Sequence, residues 1–298
     1  MDERNRTAGN RPRVTTRFFP VSPALRPYAS TIYLLEIDAP PGVRAEDYLH
    51  PEWANMRFVT GEVPLAAIGG DTPRPAPAFI VAGPTSRATY FAAGTMRAWG
   101  IGILPMGWAR FVPLRADALA DRFCDGAEHP AFATIAPLAS SLPHIEDADA
   151  GARMIDGHFT ALLANSAPGD PAIGRAHAAL VDEGLASVSA LADMLGLSER
   201  SVERLSRRAF GFPPKLLLRR QRFLRSLARF MLDPSMAWID TLDLQYYDQA
   251  QFNRDFRRFM GMSPRAYAAR PKPILGAAAL ARAAAAGEAV QGLHKPQG

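Results

Sequence analysis

The segment Val188-Ser189-Ala190-Leu191-Ala192-Asp193-Met194-Leu195-Gly196-Leu197-Ser198-Glu199-Arg200-Ser201-Val202-Glu203-Arg204-Leu205 constrains this chain more than any other. Two helices cross closely only where a small side chain sits at the contact, and Ala192 supplies one. Four positions on, Gly196 tolerates the positive φ that a tight turn requires. Ser198 can then accept a hydrogen bond from the free amides that open the next helix. Val202 and Leu205 can point back into the crossing. A helix-turn-helix needs these features in this order, although a generic helical hairpin also satisfies them. With Val202 and Leu205 inward, Arg200, Glu203, Arg204 and Arg207 fall on the outward face. Arginine there can make a bidentate contact to guanine, and glutamate can accept from the cytosine amine. Glu203 can equally pair with Arg207 at i+4, and the sequence leaves both uses open.

Charge points the same way. The chain of 298 residues carries a formal net charge of +5. Its excess is concentrated at Arg200, Arg204, Arg207, Arg208, Lys215, Arg219, Arg220, Arg222, Arg225 and Arg229, with Glu203 the only acid in that interval. Such a cluster suits a polyanion such as nucleic acid, or else is a solvated helix face; a membrane surface fits less well. The run from Lys215 to Leu232 has an apolar face of Leu216, Phe223, Leu227, Phe230 and Met231 and predicts a helix about 27 Å long. That length is comparable to the ~34 Å between successive major grooves on one face of DNA. The stretches Phe210-Gly211-Phe212-Pro213-Pro214 and Phe259-Met260-Gly261-Met262-Ser263-Pro264 are similar endings, each closing a basic helix.

Residues 188–267 closely resemble the AraC/XylS family of bacterial transcriptional regulators. The most specific part is Tyr246-Tyr247-Asp248-Gln249-Ala250-Gln251-Phe252-Asn253-Arg254-Asp255-Phe256-Arg257-Arg258, followed by Gly261-Met262-Ser263-Pro264-Arg265-Ala266-Tyr267. The resemblance implies two helix-turn-helix units that enter successive major grooves of double-stranded DNA. It implies that Arg200, Glu203 and Arg204 face bases from the first recognition helix, and Gln249, Ala250, Asn253 and Arg254 from the second. Phosphate contacts would come from Arg207, Arg208, Arg258 and the arginines flanking both units. The family usually has a small residue where Thr241 stands, glycine where Gln245 stands, and often histidine where Gln251 stands. A positive-φ turn at Gln245 would be strained, which implies a looser second head. An activator or repressor is implied, with RNA polymerase as a further partner of an activator.

The expected fold class is α+β in two domains. Residues 1–13 read as a flexible arm, and 14–165 as a sensor or dimerisation domain. That domain is expected to be mainly antiparallel β, sandwich or barrel, followed by helices. Strands are expected at Thr31–Ile37, Met56–Thr60, Ala78–Val81, Ala88–Phe91 and Met96–Leu104, where short apolar runs are punctuated by Pro and Gly. Helices are expected at Met106–Val112, Ala131–Leu142 and Gly151–Asn165. A linker spans 166–171, and an all-α DNA-binding domain, two helix-turn-helix units joined by the long helix, spans 172–270. The alanine-rich residues 271–298 show no apolar pattern that demands packing and read as a flexible tail.

In the first half Gly100-Ile101-Gly102 reads as a strand passing close to other backbone. The stretches His50-Pro51-Glu52-Trp53, Ala82-Gly83-Pro84-Thr85-Ser86 and Gly100-Ile101-Gly102-Ile103-Leu104-Pro105-Met106-Gly107-Trp108 resemble a poorly characterised domain found ahead of AraC-type DNA-binding regions, a place that in such regulators implies sensing of a small-molecule effector or dimerisation. Trp53, Trp99 and Trp108 could line an apolar pocket with Arg57 or Arg87 holding an anion, or could be ordinary core with solvated arginines. Ile155, Phe159, Leu162 and Leu163 share one helical face that could form a homodimer. No cofactor or metal is expected, because the histidines are scattered and Cys124 is the only cysteine. Cys124 has no lysine or histidine nearby in sequence and reads as structural rather than nucleophilic. Neither a G-x-S-x-G elbow nor a G-x-x-x-x-G-K loop is present, so an enzyme is not expected. The alternative function is a protein-interaction module or an enzyme carrying an inherited helix-turn-helix-like tail. No apolar stretch reaches the ~20 residues of a membrane span, and a cytoplasmic protein is expected.

Overall fold

The structure is a computed structural model that describes residues 11–235, 240–243 and 245–296. Its first half is an antiparallel β-sandwich. The larger sheet runs β1 (Arg13–Phe19), β2 (Ala29–Asp38), β9 (Met96–Ile103), β4 (Ala54–Gly61), β7 (Phe79–Ala82) and β10 (Phe123–Asp125). The smaller runs β3 (Ala45–Leu49), β8 (Thr89–Ala93), β5 (Leu65–Ile68) and β6 (Arg74–Pro75).

Side chains alternate across a strand, and here both faces of the larger sheet are covered. Ile32 and Leu34 of β2 join Trp99 and Ile101 on the outer face. Leu35 and Ile37 turn the other way, toward Phe91 and Ala93 of the smaller sheet. The outer face is closed by α1 (Pro105–Phe111), α2 (Pro137–Ser141) and α3 (Ala148–Ala164). Ile155 and Phe159 are fully buried there, with Leu162 and Leu163 packed against the same core. The dimer face expected at Ile155–Leu163 is therefore corrected: it is the side of α3 that seals the sandwich.

Gly100 and Gly102 approach side chains rather than backbone, a second correction. A Cβ at Gly100 would stand 2.1 Å from the Tyr33 ring, and one at Gly102 would stand 2.4 Å from Ser30 Oγ. Tyr33 pairs with Gly100 in the sheet and fills the space its missing side chain leaves.

After a break at 165–170 come α4 (Pro171–Val181), α5 (Val188–Leu195), α6 (Glu199–Phe210), α7 (Pro214–Leu232), α8 (Gln249–Met260) and α9 (Pro264–Ala269). The two halves share hydrophobic cores. Trp53 and Leu104 pack with Ile173, Leu191 and Phe210, while Ala88 packs with Phe223 and Phe259.

Both chain ends differ from expectation. Residues 1–10 of the expected arm lie outside the described residues, but Arg13 already pairs with Asp38 in β1. The expected tail is packed: α10 (Leu275–Ala286) lies against β1 and α7, and a 3-10 turn at Gln291–Leu293 lies against α7. Ala278, Ala279, Val290 and Leu293 are buried. Alanine methyl groups allow a close approach while giving the helix little apolar contrast, so the segment looks unpatterned as sequence.

Candidate nucleic-acid interface

The first helix-turn-helix is built as its sequence requires. Leu191, Ala192, Val202 and Leu205 are buried at the crossing of α5 and α6. Gly196 ends α5 at φ 65°, and the Ser198 side chain accepts from the Ser201 amide, 3.2 Å away. The second recognition helix repeats the first. α6 and α8 are each twelve residues long. Asp248 caps α8 by accepting from the Gln251 amide at 2.6 Å. Gly211 and Gly261 close the two helices at φ 83° and 72°. Val202, Leu205, Ser206, Ala209 and Phe210 point inward on α6, and Phe252, Asp255, Phe256, Phe259 and Met260 do so on α8, in one and the same spacing.

Outward stand Arg200, Arg204, Arg207 and Arg208 on α6, and Gln249, Ala250, Arg254, Arg257 and Arg258 on α8, with Glu203 and Asn253 half-exposed. Thus the two sets of positions expected to face DNA share the solvent side of their helices. Glu203 accepts from Arg207 Nε at 2.7 Å, the helical pairing that its spacing allows. Arg208 Nη2 donates to Asp170 at 2.9 Å.

The arginines of α7 have a different role from the one charge alone suggests. Arg225 pairs with Asp243, and Arg219 with Asp255. Arg222 also reaches Asp255, which accepts from the Tyr246 hydroxyl at 3.2 Å. Arg229 Nη1 donates to the Leu242 carbonyl at 3.0 Å. These arginines fasten the second unit to α7. Four cations of the apparent polyanion surface are therefore internal ties, and for three of them the acidic partners at 243 and 255 come into view only in three dimensions.

The second unit departs from expectation ahead of α8. The described residues 240–243 and 245–248 form turns, a bend and irregular chain, with no helix among them. Asp243 accepts from the Gln245 amide at 2.9 Å, and its own amide donates to Ser226 Oγ at 2.8 Å. Such local side-chain bonds compete with a helical ladder. Thr241 is buried. The Gln245 side chain donates to the Glu183 carbonyl at 2.7 Å. Trp238, Ile239 and Leu244 lie outside the described residues.

The sandwich holds the C-terminal ends of both recognition helices. A Cβ at Gly211 would stand 3.2 Å from Pro84 and 3.3 Å from Ala120. The Phe259 carbonyl accepts from the Ala88 amide at 2.6 Å. Between these points, Thr85 offers its carbonyl to Arg220 Nη1 at 2.9 Å, and Ser86 is held by Asp121 through both its amide and its hydroxyl, at 2.6 and 2.7 Å.

The residues expected to form an effector pocket are not brought together. Trp53 is buried between the halves, where its ring meets His177, Phe210 and Arg220. Trp99 and Trp108 belong to the outer sandwich core. Arg87 is exposed. Of the five, Arg57 lines the cavity of about 120 Å³ that lies between the sandwich and α10, and the other four do not. Its other polar residues, among them Tyr33, Glu52, Asn55, Arg282 and Gln291, escaped sequence reasoning. Arg282 alone carried a signal, as a lone charge within an alanine run. Cys124 is half-buried, and burial beside Asp125 pushes its thiol up to about 11, away from nucleophilic chemistry. No metal-ligating cluster and no helix long and apolar enough to cross a membrane occur among the described residues.

Residues 191–270 match a family model described as a helix-turn-helix domain. This segment, which takes in most of α5 and all of α6 to α9, is a helix-turn-helix domain of the AraC type. No curated protein matches the chain. Among solved structures, ToxT from Vibrio cholerae is similar at 8% identity, covering 86% of this chain and 97% of that one with a TM-score of 0.43. A ToxT structure bound to (E)-4-(8-methylnaphthalen-1-yl)but-3-enoic acid gives 10% identity, 87% and 97% coverage and a TM-score of 0.42.

Proposed function

We propose that this chain is a sequence-specific, DNA-binding transcriptional regulator of the AraC type, modulated by a small molecule through its sandwich domain. The observation that carries the reading is the repetition of one helix in two places. α6 and α8 have the same length, the same inward spacing, a side-chain cap at one end and a positive-φ glycine at the other. Between them runs α7, 19 residues or about 28 Å long. In this reading Arg200, Glu203 and Arg204 face bases in one major groove, and Gln249, Ala250, Asn253 and Arg254 in the next. Arg207, Arg208 and Arg258 grip phosphates, with Arg207 and Arg208 leaving Glu203 and Asp170 to do so. Regulators of this type are generally non-enzymatic, and the reading assigns no catalysis. It places the protein in the cytoplasm, with RNA polymerase as a further partner where it activates.

The test is selection of bound sites from random duplex DNA by the intact protein, followed by titration at two salt concentrations. An enriched site whose affinity falls steeply with salt supports the reading. No enrichment, with feeble binding at low salt, refutes it.

A further inference from the structure

The cavity between the sandwich and α10 has the volume, about 120 Å³, at which a buried apolar space takes up a molecule near the size of benzene. Much of its wall is apolar, including Phe18, Leu35, Phe91 and Val290. Most of its polar side chains have a hydrogen-bond partner within the protein, and Thr16 Oγ1 and Arg282 do not have all of theirs. Arg57 Nη2 donates to Glu52 at 2.7 Å, and the Tyr33 hydroxyl donates to Asn55 Oδ1 at 2.9 Å.

Of these two, Arg282 alone carries charge. It reaches in from α10, is 6% exposed, and uses only Nη1, which donates to Thr31 Oγ1 at 2.7 Å. Its Nε and Nη2 are buried without a hydrogen-bond partner. Glu52 and Glu288 lie near enough to pull on its charge, but neither forms an ion pair with it among the described residues. Burial lowers its pKa only to about 10, so the guanidinium is charged at neutral pH. A buried cation with idle donors is costly unless something anionic completes it.

We propose that this cavity binds a small, mainly apolar monocarboxylate, with the anion on Nε and Nη2 of Arg282 and the aryl or short alkyl body between the sheets. The single unmatched positive charge fits one carboxylate, and the scarcity of idle polar groups argues against a sugar or nucleotide. The carboxylate must also lie away from Glu52, whose oxygens are turned to Arg57 and Asn55. The proposal rests on the effector reading above and gives it a chemical class. It also supplies a route to the DNA-binding half. The ligand lies against Val290 and Gln291; Gln291 accepts from the Trp53 amide at 2.6 Å, and Gln221 of α7 donates to the Gly292 carbonyl at 2.7 Å.

The test is calorimetric titration and thermal melting of the full chain, without DNA, using benzoate, phenylacetate, hexanoate and octanoate beside benzamide and hexanamide. At least one acid is expected to bind with Kd below about 1 mM, with its amide at least about tenfold weaker. Arg282→Met is expected to lose that preference and, having shed an idle buried charge, to melt higher than the parent when empty. Arg282→Lys is expected to retain part of the preference. Equal binding of acid and amide by the parent chain overturns the proposal, as does an undiminished preference in Arg282→Met or an absence of any effect from all four acids. The acid and amide comparison on the parent chain decides the matter even where Arg282→Met does not fold. Selection of DNA sites is a separate measurement, so failure of either reading is visible without the other.

Discussion

The guanidinium of Arg220 sits over the Trp53 ring, 4.0 Å from its centroid, and joins the long helix of the DNA-binding half to the start of a sandwich strand. Arg220 is fully buried and also donates to the Thr85 carbonyl. Trp53 meets His177 and Phe210 on its other contacts. Trp53→Ala is therefore expected to destabilise the chain by about 3–5 kcal/mol, the range for removing a large buried aromatic. Urea denaturation is the measurement, and a loss under about 1 kcal/mol would show that the joint contributes little.

Arg204 and Arg254 occupy equivalent outward positions on α6 and α8. Each changed to alanine should weaken binding to the selected site by about 1–3 kcal/mol and relax preference at its own base position. Lys215→Ala, at an exposed position that opens α7, should weaken all sequences alike. Relaxation by Arg204→Ala with no effect of Arg254→Ala would mean that one head alone reads bases. Glu203→Gln separates its two uses. A change of preferred base marks it as a reader, whereas a uniform gain in affinity marks it as the partner of Arg207.

Ending the chain at Arg270 should lower its melting temperature and increase its sensitivity to protease. The removed segment includes Ile274, Ala279, Val290 and Leu293 of the buried core. The Asp47 carboxylate would also lose the Ile274 and Leu275 amides, 3.0 and 2.9 Å away. A truncated chain that melts with the parent would refute the packed C-terminal cover.

His50, His177 and His294 are held neutral by burial, with pKa values lowered to about 3, 3 and 4. Their contribution to stability is fully present above the unfolded-state value near 6.5. It is lost as pH falls from there toward the folded values, because the unfolded chain takes up protons that the folded chain refuses. Each contributes a slope of up to about 1.4 kcal/mol per pH unit in that window. Denaturation midpoints between pH 7 and pH 4 measure it, and His50→Gln should flatten the curve. His50 shares a hydrogen bond of 2.7 Å with the Tyr267 hydroxyl, so that variant also tests the contact between β3 and α9.

The first helix-turn-helix was readable because everything that shapes it is local. Ala192, Gly196, Ser198 and Val202 act on neighbours a few positions away, and a linear sequence displays such spacing directly. The joint was unreadable for the opposite reason. Arg220 looked like another cation of a basic stretch, and only folding brings Trp53 beneath it. Asp255 and Asp243 likewise convert Arg219, Arg222 and Arg225 from apparent DNA ligands to structural ties. The candidate ligand cavity draws on β1, β2, β4 and α10, from opposite ends of the chain, so no local pattern could announce it.

Pro84 touches the end of one recognition helix, and Ala88 is hydrogen-bonded to the end of the other. One short loop of the sandwich thus acts as a gauge block between two helices that, in the proposed function, must match the pitch of DNA. Asp121, itself at a φ of 52°, clamps the middle of that block through Ser86. Altering the shape of these few residues would change the distance between the heads without touching a single DNA-facing side chain. Under the proposed function, the choice of target site would be written partly in the sandwich, as a permitted separation of half-sites.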